Sequence, residues 1–162
     1  MKKLSHITEA GEASMVDVSR KPVQLREAVA RGEIHLHRET IALIEQNQIA
    51  KGNVLATARL AGILAAKKTG DLIPLCHPLP ITHCEVNFEM PASRDRIVIT
   101  ASAKIAAQTG VEMEALTAVS IAALTIYDMC KAVDKEMRIT EVQLVLKRKS
   151  ATQRRGDGEA QS

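Results

Sequence analysis

From residue 33 to residue 147 the apolar positions switch between a period of two and a period near 3.6, the marks of strand and helix. Glu33 to His37 alternates briefly and predicts a short strand. Arg38 to Gln48 carries Ile41, Leu43 and Ile44 at helical spacing. Asn53 suits the cap of a second helix running to about Thr69, through Val54, Ala58, Ala61, Gly62 and Ala65, and Gly70 fits its stop. Cys84, Val86, Phe88 and Met90 alternate as a strand, and a turn over Pro91 to Asp95 leads into another with Ile97, Ile99, Ala101, Ala103 and Ile105 on one side. A long helix is predicted from Glu112 to Val133, and Ile139 to Lys147 closes as a strand with Val142, Leu144 and Leu146 alternating. Strand, helices, strand, strand, helix, strand is the split βαβ order. It predicts an α+β, ferredoxin-like fold, an antiparallel sheet with helices on one face.

The long helix is the most informative segment. Thr109 followed by Glu112 fits a capping box. Ala115, Ala118, Val119, Ala122, Ala123, Ile126, Met129, Cys130 and Val133 form an apolar stripe rich in Ala, so a neighbouring element can approach closely and the stripe reads as core and as interface. On another face lie Glu114, Thr117, Ile121, Thr125, Asp128 and Lys131. An Asp–Lys pair at i, i+3 is ordinarily a solvated surface pair, and it stands here in a mostly apolar segment.

The flanks lack this periodicity. Residues 1–20 read as an arm, apart from the short Met15 to Ser19 stretch; 21–147 form one domain; 148–162 read as a disordered tail. The net charge is +3. Much of it sits in that tail, on Arg148, Lys149, Arg154 and Arg155 against Asp157 and Glu159, which leaves the body close to neutral. With one Phe, one Tyr and no Trp, the chain has almost nothing on which to stack bases, so nucleic-acid binding is not expected. Three cysteines in no pattern, no secretory h-region and no long uncharged apolar run point to a cytoplasmic protein without a membrane partner.

Several residues invite chemistry, each with a plainer reading beside it. Lys51-Gly52-Asn53 sets a lysine before a helix start, where a phosphate can meet free N–H groups; a capped helix with a solvated lysine explains the same residues. His77 lies between Pro74 and Pro78 and suits either a general acid or base or a packing role. His83 and Cys84 nearby raise a zinc reading with Cys76 and His77, but adjacent residues in extended chain point opposite ways and chelate poorly. Glu112 has the capping role; Glu114 does not, and is the better functional candidate. Lys67 and Lys68 sit at a helix C-terminus, where cations are favoured anyway.

With these residues in hand the chain resembles the cyclic pyranopterin monophosphate synthase family, the molybdenum cofactor biosynthesis accessory protein C. The likeness covers roughly residues 4 to 147 and rests on GEASMVDVS at 11–19, KGNVLATARLAGILAAKKT at 51–69, DLIPLCHPL at 71–79 and TGVEMEALTAVSIAALTIYDMCKAV at 109–133. The resemblance implies a lyase that converts 3′,8-cyclo-7,8-dihydroguanosine triphosphate to cyclic pyranopterin monophosphate and releases pyrophosphate. It implies a homohexamer, a trimer of dimers with sites at subunit interfaces. Carried over by position, Asp128 matches the catalytic residue and Lys51 and Lys131 match the essential lysines. Leu75, Cys76, His77, Met113 and Glu114 match substrate-contact stretches, and Glu112 falls in the site region. Lys67 is added as a substrate contact, and His77 as an assisting catalytic group. Three departures stand out: Asn53 where an Asp is common, Gly70 where a larger residue is common, and a tail without the Gly-Gly-Lys-Ser-Gly run of some members.

No cofactor is evident; magnesium can accompany the triphosphate. Proton transfer near neutral pH suggests lysines whose pKa values are lowered. Glu114 and Asp128 stand 14 positions apart, so they share a helix face but lie ~21 Å apart along the axis. The expectation is therefore a composite site: Lys51, Asp128 and Lys131 from one subunit, with His77 or Glu114 from a neighbour. A non-catalytic nucleotide- or phosphate-binding module on the same fold is the competing reading.

Overall fold

The computed structural model describes residues 13–151, so the expectations for residues 1–12 and 152–162 lie outside it. In chain order the elements are β1 (Gln24–His35), α1 (Arg38–Glu45), α2 (Val54–Lys67), a single helical turn α3 (Thr69–Leu72), β2 (His83–Glu89), β3 (Arg96–Ala107), α4 (Glu112–Cys130) and β4 (Arg138–Ala151). The strands form one sheet in the order β2-β3-β1-β4, every pairing antiparallel. That is the α+β split βαβ arrangement the periodicity predicts, with helices packed on the sheet.

Small side chains set how closely the layers approach. Ala28, Ala30 and Ile34 of β1 and Ala101, Ala103 and Ile97 of β3 are buried beneath α4, whose Ala115, Ala118, Val119, Ala122 and Ala123 are all buried too. A Cβ on Gly32 would fall 2.6 Å from Val119 Cγ1, and one on Gly62 of α2 would fall 2.9 Å from the Ala118 carbonyl oxygen. The Ala stripe is thus consumed inside the subunit, between β1 and α2, and is not an interface face. By length and composition α4 could span a membrane, but over half of it is buried in the protein.

Several boundaries differ from expectation. The first strand begins at Gln24, not Glu33. Ala, Gly, Arg and Glu have weak strand preference, and close packing under α4 overrides it. Gly70 is no helix stop: α2 ends through Lys68 at φ −106°, and Gly70 lies within α3, where its missing Cβ lets Pro78 approach. The capping box does not form, because α4 starts at Glu112 with Val111 as its cap, placing Glu112 at the first helical position instead of the third. The helix ends at Cys130, and β4 runs past Lys147 to Ala151, so the sheet claims residues 148–151 from the expected tail. A register shift in β4 pairs Leu144 with Ala30 but Leu146 with Val29. Leu144 and Leu146 therefore sit on opposite faces of the sheet.

Candidate functional site

The proposed site residues gather at the two ends of α4. At its C-terminal end, Asp128 holds two lysines. Lys51 Nζ donates to Asp128 Oδ2 at 2.7 Å and to the Asp128 carbonyl oxygen at 3.0 Å, and Lys131 Nζ lies 2.7 Å from Asp128 Oδ1. The local sequence explains how Lys51 gets there. Gly52 adopts φ +99°, a left-handed conformation that L side chains resist, and Asn53 then caps α2 by accepting from Ala56 N–H at 2.8 Å. All three charged side chains are about half exposed. The Lys131 and Lys51 ammonium groups pull the Asp128 carboxyl down to about 2. In return, Asp128 raises Lys131. The expected lowering of lysine pKa is therefore reversed for Lys131 in the single chain, because its nearest neighbour is an anion and not another cation.

In the turn after α4 stands Asp134, whose carboxylate is fully buried. It accepts from His37 N–H at 2.8 Å, Thr40 Oγ1 at 3.0 Å and Glu136 N–H at 3.1 Å. Burial works against its charge, but these hydrogen bonds outweigh it and keep the carboxyl below its ordinary range. Asp134 thus ties the turn after α4 to the start of α1.

At the N-terminal end of α4 a cleft of about 420 Å³ is lined by Val16, Val18, Lys21, Leu75, Cys76, His77, Leu79, Thr109, Gly110, Glu112, Met113 and Glu114. The Leu75–Leu79 loop forms one wall. Pro78 packs on α3, where a Cβ on Gly70 would come within 2.9 Å of Pro78 Cα, and His77 Nε2 donates to the Val16 carbonyl at 2.9 Å. Glu112 carries its carboxylate over Gly110 and pairs with Lys147 from β4. Glu114 is only 3% exposed. Burial raises its carboxyl, its own backbone N–H opposes that, and the Glu112 charge adds to it. Apart from that N–H, no donor among the described residues serves it, so a ligand bearing N–H groups would complete it.

The sequence candidates divide cleanly. Leu75, Cys76, His77, Glu112, Met113 and Glu114 share the cleft; Lys51, Asp128 and Lys131 form the other cluster. Lys67 joins neither: it faces a neighbouring groove with Gly70, Asp71, Pro78, Leu79 and Pro80. Cys76, His77, His83 and Cys84 do not assemble; among the described residues no group of three or more His, Cys, Asp or Glu could hold a metal ion. Sequence reasoning missed Val16, Val18, Lys21, Leu79, Thr109 and Gly110 as cleft residues. The alternation of Met15-Val16-Asp17-Val18 was the available signal for the first two, since an arm with apolar positions must rest them somewhere.

Known proteins include close relatives of this chain. The MoaC family profile matches residues 15–150. A cyclic pyranopterin monophosphate synthase of Heliobacterium modesticaldum is 56% identical over 147 residues, covering 91% of this chain and 92% of its own. Synthases of the same name from Roseiflexus sp. strain RS-1 (54% identity; 91% and 93% covered) and Chloroflexus aurantiacus strain J-10-fl (56%; 90% and 90%) are similarly close. The matched span takes in every element of the fold and both ends of α4. This chain belongs to the MoaC family.

Proposed function

We propose that the chain is a lyase of molybdenum cofactor biosynthesis that converts 3′,8-cyclo-7,8-dihydroguanosine triphosphate to cyclic pyranopterin monophosphate. The observation that carries this reading, beside the family, is the pairing of two chemically opposite half-sites on one helix. One end presents a buried, acceptor-only carboxylate in a cleft of mixed polar and apolar lining; the other presents two ammonium groups fixed by one carboxylate. The guanine-derived ring offers N–H donors to Glu114, and the triphosphate offers charge to Lys51 and Lys131. Phosphate cyclisation is a displacement: a sugar hydroxyl oxygen bonds to the α-phosphorus, the bond from that phosphorus to the bridging oxygen breaks, and pyrophosphate leaves carrying the proton the hydroxyl gives up. Cations near that oxygen stabilise the charge it gains.

Asp128, Lys131, Lys51 and His77 act as the catalytic set in this reading; Leu75, Cys76, Met113, Glu114 and Glu112 contact substrate. Lys131 starts as a charged ammonium held by Asp128, so it serves first as proton donor and counter-charge. His77, with Nε2 committed to Val16, has only Nδ1 for substrate. Magnesium, where it takes part, travels with the triphosphate as part of the substrate. Lys67, facing the groove beside the cleft, contacts substrate from a neighbouring subunit in this reading.

The ~21 Å between Glu114 and Asp128 exceeds what one nucleotide-sized substrate bridges compactly. A homohexamer built as a trimer of dimers resolves this when the cleft of one subunit faces the Asp128 cluster of another. Incubating the protein with the cyclic substrate and following pyrophosphate tests the function. Wild type turns over and Lys131→Ala loses most of its rate; binding without pyrophosphate release by wild type would favour a non-catalytic nucleotide-binding module.

A further inference from the structure

We infer that Gln108 is a positioning residue of the cleft, latching the segment Val16–Lys21 across it as a strap. The inference rests on the proposed function only in taking the cleft as a substrate site. The strap is a folded turn in its own right: Asp17 Oδ1 accepts from Ser19 N–H at 2.9 Å and Ser19 Oγ at 2.6 Å, and Lys21 N–H donates to the Val18 carbonyl at 2.9 Å. Val16, Val18 and Lys21 form one wall of the cleft, yet the strap is mostly exposed and buries little apolar surface. Something other than packing must hold it. Among the described residues, two side chains from the body do so by hydrogen bonds to its backbone: His77 Nε2 to the Val16 carbonyl at 2.9 Å, and Gln108 Nε2 to the Ser19 carbonyl at 3.1 Å. Gln108 is itself braced, because Arg26 donates to the Ala107 carbonyl at 3.4 Å and to the Gln108 carbonyl at 3.2 Å, fixing the backbone from which the amide reaches. His77 is already assigned to the site, which leaves Gln108 as the latch whose purpose is the strap alone. Its loss would let the wall swing away while leaving the catalytic groups at the far end of α4 untouched.

The test uses the full chain with Gln108→Ala, Gln108→Glu and Gln108→Lys. Glu keeps the size but cannot donate; Lys keeps a long donor. Two readouts are followed: trypsin cleavage after Arg20, since Pro22 blocks the bond after Lys21, and KM against kcat for the cyclic substrate. Losing one hydrogen bond should speed the Arg20 cut about three- to tenfold in Ala and Glu. KM should rise by about the same factor with kcat within about twofold, and Gln108→Lys should restore both. Three results would overturn the inference: an unchanged cut, a faster cut with unchanged KM, or a fall in kcat that Lys does not rescue. If wild type fails to turn over the substrate, that strikes the functional reading alone, and the cleavage ratio still decides whether Gln108 holds the strap.

Discussion

Replacing Gly62 by Ala sets two effects of known size against each other. In the middle of a helix Ala is favoured over Gly by about 1 kcal/mol, so propensity alone stabilises the variant. Packing opposes it. The new methyl would lie 2.9 Å from the Ala118 carbonyl oxygen, 3.2 Å from Val86 Cγ2 and 3.4 Å from Ala122 Cβ. The nearest atom belongs to the α4 backbone and cannot rotate away, so α2 and α4 must part. Overpacking of this kind costs about 1–3 kcal/mol. Because the obstruction is backbone, the upper part of that range applies, and a net loss of about 1–2 kcal/mol is expected. For a chain of this size that is a fall in Tm of roughly 2–8 °C. The same parting stretches the Lys51–Asp128 bond, which spans the start of α2 and the end of α4, so turnover should drop alongside stability. Thermal melts and pyrophosphate release on Gly62→Ala measure both. A rise in Tm of about 2–4 °C, as propensity alone would give, would show that α2 and α4 are not in limiting contact and would refute the close-packing argument.

Further expectations follow from the two ends of α4. Glu114→Gln should stabilise the protein at neutral pH. A carboxyl whose folded-state pKa is raised favours folding only while protonated, so its contribution is present below the ordinary value of 4.5 and lost as pH rises through the raised one; the gain from Gln should vanish in melts at acid pH, and substrate affinity should fall at neutral pH. Asp134→Ala strips acceptors from two N–H groups and a hydroxyl and should cost about 2–4 kcal/mol in urea unfolding. Its lowered pKa puts the wild-type contribution above the ordinary value of 3.8, fading as pH falls through the lowered one, so the gap between wild type and variant should narrow in acid. Asp128→Asn removes the anion that raises Lys131, so any alkaline fall in activity carried by Lys131 should move to lower pH.

Much of the fold was legible because its strands and helices differ in period. Cys84 to Met90, Ile97 to Ile105 and the α4 stripe declared themselves, and their order alone specified the sheet. What stayed hidden depended on contacts distant in sequence. The first nine residues of β1 carry too much Ala, Gly and charge to read as strand; they are strand because α4 lies within a methyl's reach of Gly32. The capping box failed because Glu112 is drawn to Lys147, 35 positions away, and α4 starts later than Thr109 suggests. At the site, the Asp128–Lys131 spacing was visible, but the reach of Lys51 to the same carboxylate required the α2–α4 packing. The cleft was legible in its loop and helix halves, through residues 75–77 and 112–114. Its third wall was marked only by the Val16 and Val18 alternation and, at Lys21, by nothing, because two side-chain hydrogen bonds set where the strap rests.

The central claim is that the two ends of α4 serve different sites, each completed by another copy of the chain. Mixing subunits measures it directly. Lys131→Ala and Glu114→Ala proteins, each inactive alone, are unfolded together, refolded as a mixture and assayed for pyrophosphate release from the cyclic substrate. If sites are shared across a two-fold interface, random pairing leaves one intact site in each mixed dimer and should recover roughly a quarter of wild-type activity. No recovery from oligomers shown to contain both variants would mean that Glu114 and Lys131 of one chain serve the same site, contradicting the account.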